Sequence, residues 1–82
     1  MSYCRFGSDS NVYLYDAATG GWHCCACWLS PERNTWLHTL GEVLAHLQAH
    51  VDAGHLVPQR AIGYVLEEIA QFGVEAREIP YD

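Results

Sequence analysis

Lysine is absent from this 82-residue chain, and four arginines stand against ten acidic side chains for a formal net charge of −6. Residues 1–35 carry −1, residues 36–56 carry −2 and residues 57–82 carry −3, so no segment is basic. Nucleic-acid binding draws most of its nonspecific affinity from Lys and Arg clustered on one face, and this chain is expected not to supply that footprint. No apolar run approaches 18 residues, and no basic start leads into an apolar stretch. A membrane span and a secretory signal are therefore not expected, and a cytoplasmic protein is. A glycine-rich phosphate loop, a nucleophile elbow and a His-Asn-His nuclease pattern are also missing, which speaks against an enzyme.

Cysteine is unevenly placed. Three of the four crowd into positions 24–27, too close together to pair among themselves without strain, while Cys4 stands alone. A secreted framework would spread its cysteines to close loops, so these read as thiolate ligands in a reducing compartment. With 50% hydrophobic and 12% aromatic residues the composition is globular. A single domain of this size buries only about 60–65% of its unfolded surface. A structural metal is one remedy, because its binding free energy then becomes folding free energy.

Cys24-Cys25-Ala26-Cys27 and His46-Leu47-Gln48-Ala49-His50 supply such a metal's donors. A Cys-x2-Cys pair with a His-x3-His pair closes a tetrahedral zinc site, and histidines four apart on a helix lie one turn above each other. Eighteen residues, 28–45, separate the pairs, more than the dozen or so usual in DNA-reading fingers. On a regular strand Cys25 and Cys27 would face the same way and Cys24 the other. A backbone knuckle after Cys24 would bring Cys24 and Cys27 together instead. The knuckle is the commoner arrangement, which favours Cys24, Cys27, His46 and His50, although no glycine follows Cys27, where Trp28 stands. Cys25 and His55 remain alternative ligands, His55 also being placed to cap the end of the first helix. His38 lies beside that helix's N-cap, and His23 reads as a solvated strand residue. Four ligands make a closed structural centre rather than a catalytic one, with Trp22, Trp28 and Trp36 as core and lid. Glu42, one turn before His46, is explained by capping.

The elements follow from periodicity and turn chemistry. A short strand near Tyr3–Phe6 precedes a hairpin over 12–27 that turns at Ala18-Thr19-Gly20-Gly21. Residues 30–34 read as a loop or a single helical turn. A helix over about 40–53 opens with a Thr39/Glu42 capping box, buries Leu40, Val43, Leu44, Leu47 and Val51, and stops at Gly54. A second helix over about 58–72 starts with Pro58 at its first position and buries Ile62, Val65, Leu66 and Ile69. Arg60, Glu67, Glu68 and Gln71 fall on its wet face. A tail over 74–82 carries a short strand through Val74 and Ile79. The expected fold is α+β: a small ββα zinc-finger-like unit with an added N-terminal strand and a second C-terminal helix, in one domain spanning 1–82.

The opening Met-Ser-Tyr-Cys-Arg-Phe and the Cys24–Cys27 knuckle belong to a wider pattern. With Thr39, Glu42 to Leu47, His50, Ala53-Gly54-His55, Val57-Pro58 and Ala61-Ile62, the chain resembles small zinc-finger-like proteins of actinobacterial phages, the mycobacteriophage type in particular. The resemblance covers residues 1 to about 70 and implies a phage-encoded protein made in the bacterial host cytoplasm. It carries no biochemical activity over to this chain. The resulting expectation is a small zinc-stabilised interaction module that binds a host or phage protein. The alternative is a zinc-finger nucleic-acid-binding regulator using the first helix for recognition. That helix opens with Leu40, Gly41 and Glu42, with no Arg, Lys, Asn or Gln to read bases.

Overall fold

The computed structural model describes residues 2–18 and 20–78. Four strands, β1 (Ser2–Cys4), β2 (Tyr13–Asp16), β3 (Trp22–Cys25) and β4 (Asn34–Leu37), precede two helices, α1 (Leu40–Asp52) and α2 (Gln59–Phe72). The strands form one antiparallel sheet in chain order, so each step is a local hairpin or turn. The fold is α+β, and β4 is a strand beyond the N-terminal strand and hairpin that the sequence predicts. Strand β4 lies within 28–45, which is why the spacing between the cysteine and histidine pairs is long. The four residues Asn34-Thr35-Trp36-Leu37 are too few to show a period of their own.

Strand alternation sorts the sheet into two faces. Leu14, Trp22, Cys24 and Leu37 are buried on the inner face, against the helices. Tyr13, Tyr15, His23, Cys25, Asn34 and Trp36 occupy the outer face, with Tyr15 opposite His23, His23 opposite Trp36, and Cys25 opposite Asn34. β1 breaks the alternation, because its register shifts between Ser2 and Cys4 and both Tyr3 and Cys4 turn inward. Tyr3 then accepts the Trp22 indole N–H at 3.0 Å. Between β2 and β3, Gly21 has φ 74°, and a Cβ there would lie 2.7 Å from the Leu37 carbonyl oxygen. Only glycine lets the hairpin pass this close to β4.

The first helix is capped as its sequence indicates. The Thr39 hydroxyl accepts the Glu42 N–H at 3.1 Å and donates to the Glu42 carboxylate at 3.1 Å. The other free donors of the first turn go to the tail: Leu40 N–H to the Ala76 carbonyl at 3.0 Å and Gly41 N–H to that of Val74 at 2.8 Å. No strand forms over the described part of the tail, and Ile79 lies outside the described residues. The buried stripe of α1 is Leu40, Val43, Leu47 and His50. Val51, expected inside, is 41% exposed, and His50 takes the inward position because the 3-4-3 spacing from Leu40 ends on it. On α2, Pro58 is the N-cap rather than the first helical residue, Ala61 and Val65 are buried, and Leu66 faces outward. Ile62 and Ile69 flank the core. Glu68 leaves the expected wet face and is half-buried beside Tyr3.

Candidate metal centre

Strand β3 delivers Cys24 to the inner face and ends at Cys25. Ala26 then adopts φ 51°, a left-handed conformation that reverses the chain and returns Cys27 to the side of Cys24. The Cys27 N–H donates to the Arg33 carbonyl at 2.8 Å, which fixes the far side of this knuckle. Arg33 is itself left-handed at φ 64°, and its guanidinium lies 4.5 Å from the centroid of the Trp28 ring. The left-handed residue of the knuckle thus comes before Cys27, so no glycine is needed after it.

Helix α1 brings His46 and His50 over the knuckle. The Cys24 and Cys27 thiols and the His46 and His50 imidazole nitrogens all lie within 4.8 Å of one another. Cys27 Sγ is 3.5 Å from both Nε2 atoms, Cys24 Sγ is 3.6 Å from His50 Nε2, and the two Nε2 atoms are 3.2 Å apart. A tetrahedral ion with bonds of about 2.3 Å to sulfur and 2.05 Å to nitrogen has S–N edges of about 3.5–3.6 Å and an N–N edge of about 3.3 Å. These four separations match those edges and the other two lie within 4.8 Å, so the four side chains could hold a metal ion. Cys25, paired with Asn34, and His55 fall outside the cluster.

Burial governs the electrostatics here. It pushes the Cys24 thiol well above its usual range, and the neighbouring Cys27 adds to the effect. Burial also lowers His46, and it takes His50 down to about 4, with His46 and His55 contributing. Imidazoles kept neutral are ready donors, whereas the buried Cys24 thiol needs a cation to ionise. Cys24, Cys27 and His50 are fully buried and His46 partly so, which leaves little room for water at the site.

The remaining histidines differ in role. His38 is exposed beside the N-cap. His23, expected in solvent, is only 8% exposed, because outer-face neighbours enclose it. Its Nδ1 meets the Tyr15 hydroxyl at 2.6 Å, its Nε2 meets Asn34 Oδ1 at 2.8 Å, and its ring stacks on Trp36 at 4.0 Å between centroids. Since the Asn34 oxygen only accepts, Nε2 carries the proton and donates to it, and Nδ1 accepts from Tyr15. This network escaped the sequence reading; its one signal is the hairpin register, which sets Tyr15 opposite His23. Of the tryptophans, Trp22 is core, while Trp28 and Trp36 are 61% and 58% exposed and make no lid over the cluster.

Comparison with protein families, curated proteins and solved structures gives no match to this chain. The described residues define a small α+β domain with a Cys2His2-like cluster bridging sheet and helix. None of its helices is long and apolar enough to cross a membrane.

Proposed function

We propose that the chain is a zinc-stabilised, non-enzymatic interaction module that binds a protein partner through the outer face of its sheet. Two thiolates and two imidazoles at tetrahedral spacing favour zinc among the divalent metals, and they fill every position of a structural site. The observation that carries the binding role is the aromatic outer face. Phe6, Tyr13, Tyr15, His23 and Trp36 form a continuous run of rings with successive centroids 5.7, 5.9, 5.2 and 4.0 Å apart. Phe6 and Trp36 are 49% and 58% exposed. No Asp or Glu occupies the outward strand positions of β2, β3 and β4. Aromatic side chains that are already held in place give contact area at small entropic cost, as protein-binding surfaces require.

Several features disfavour the nucleic-acid alternative. The first three N–H groups of α1 are engaged by Thr39 and the tail, Leu40 is buried, and the net charge of −6 repels phosphate. The resemblance to phage proteins supports a phage-encoded origin, action in the host cytoplasm, and a host or phage protein as partner. The test compares tagged wild-type protein with Trp36→Ser in nuclease-treated actinobacterial lysate, with circular dichroism to show equal folding. A partner retained by wild type and lost by the variant supports the reading. Saturable binding to a random DNA duplex below about 1 μM at physiological salt, tighter than nonspecific contacts allow, would replace it with the nucleic-acid reading.

A further inference from the structure

The fifth histidine lies just beyond the cluster, and the end of α1 explains its position. Ala53 is the C-cap, Gly54 follows with φ 85°, and His55 comes next. The Gly54 N–H donates to the Val51 carbonyl at 3.0 Å and the His55 N–H to the His50 carbonyl at 2.9 Å. These two bonds define a Schellman motif, in which the second residue past the cap folds back onto the third residue before it. In most helices that side-chain contact is apolar. Here it joins two imidazoles, with His50 Nδ1 and His55 Nδ1 2.8 Å apart.

The two nitrogens of His50 thus have different partners. Nε2 faces Cys24, Cys27 and His46, and Nδ1 faces His55. A histidine that gives its Nε2 lone pair to a metal keeps its proton on Nδ1, and that proton needs an acceptor when the ring is buried. His50 is fully buried, and His55 Nδ1 is the acceptor at hydrogen-bond distance. His55 therefore carries its own proton on Nε2.

Resting on the reading of the cluster as a zinc centre, we propose that His55 is a positioning residue for it: His55 accepts the Nδ1–H of His50 and holds that ring with its Nε2 lone pair toward the thiolates. Gly54 is part of the same device, since its left-handed backbone aims His55 at His50. The arrangement does the work that a carboxylate or carbonyl does behind many zinc-bound histidines.

The test measures cobalt and zinc affinities of the full chain by chelator competition for wild type, His55→Leu and His55→Asn. Leu keeps an apolar Schellman contact and so preserves the fold while removing the acceptor; Asn places an acceptor oxygen near the position of Nδ1. Affinity should fall about 10–100-fold in His55→Leu and stay within about threefold of wild type in His55→Asn. The absorption of the cobalt forms should be the same in all three, because the four donors are unchanged. Equal affinity for wild type and His55→Leu would overturn this proposal and leave the metal centre standing. A changed cobalt spectrum in His55→Leu would also overturn it, by making His55 a direct ligand. Failure of the wild-type protein to bind either metal would overturn the centre and the proposal together.

Discussion

Raising free zinc from far below to far above the site's dissociation constant should convert a marginal chain into a stable one. Its donors come from β3 with its knuckle and from α1, and they meet only when the helix is docked on the sheet. In the unfolded chain eighteen residues separate the two pairs, so the ion binds the folded state far more tightly. At typical values of about 0.05–0.15 kcal/mol per residue, a chain of this length has about 4–12 kcal/mol of folding stability in all. Structural zinc sites bind with about 10–16 kcal/mol, which is as large as that whole margin. Mass action sets the measurable consequence. Each tenfold rise in free zinc above the dissociation constant adds about 1.4 kcal/mol, and a thousandfold excess adds about 4.1 kcal/mol. For a domain of this size 1 kcal/mol moves Tm by about 4–8 °C, so a thousandfold excess should raise it by about 16–33 °C. The assay is thermal unfolding followed by circular dichroism in zinc buffers, with tryptophan fluorescence as a second probe. A melting temperature independent of free zinc across four decades would refute the reasoning.

His46→Ala and His50→Ala should each weaken zinc binding by more than the roughly 10–100-fold typical of outer-shell changes, measured by chelator competition. His38→Ala should alter stability by no more than about 0.5 kcal/mol in urea unfolding, whereas His23→Ala should cost about 1–3 kcal/mol by removing a buried ring that stacks on Trp36 and its hydrogen bonds to Tyr15 and Asn34. Ala26 is left-handed at φ 51°. Ala26→Gly should therefore stabilise the protein by about 0.5–1 kcal/mol with unchanged metal content, and Ala26→Val should destabilise it. Burial raises the Glu68 carboxyl above its ordinary 4.5, outweighing the Tyr3 hydroxyl that favours its ionised form, and its Oε1 has no hydrogen-bond partner among the described residues. In the window between that value and the raised one the folded state binds more protons, so stability falls as pH rises and stays lower at neutral pH. Glu68→Gln should raise Tm at pH 7 and flatten the acid limb of the Tm–pH curve; a lower Tm would show that the charge is stabilising.

Local chemistry was legible along the chain. The Thr39 capping box, the stop at Gly54 and the helical spacing of His46 and His50 are written in short stretches, because caps and turns are settled by neighbours in sequence. Four cysteines and histidines at metal-binding spacing named the candidate cluster for the same reason. Tertiary structure decided the rest. Cys27 joins Cys24 on the inner face because Ala26 enters a left-handed conformation after β3, while strand alternation leaves Cys25 outside. Strand β4 exists because β3 offers an edge and the knuckle returns the chain to it, a pairing that four residues cannot announce alone. His50 displaces Val51 from the core, His23 is enclosed by Tyr15 and Trp36, and His55 is folded onto His50; each outcome depends on partners brought together by packing. The sequence thus specified which donors are present. The docking of α1 on the sheet decided which of them meet, because distances between segments far apart in the chain are set by the shared core.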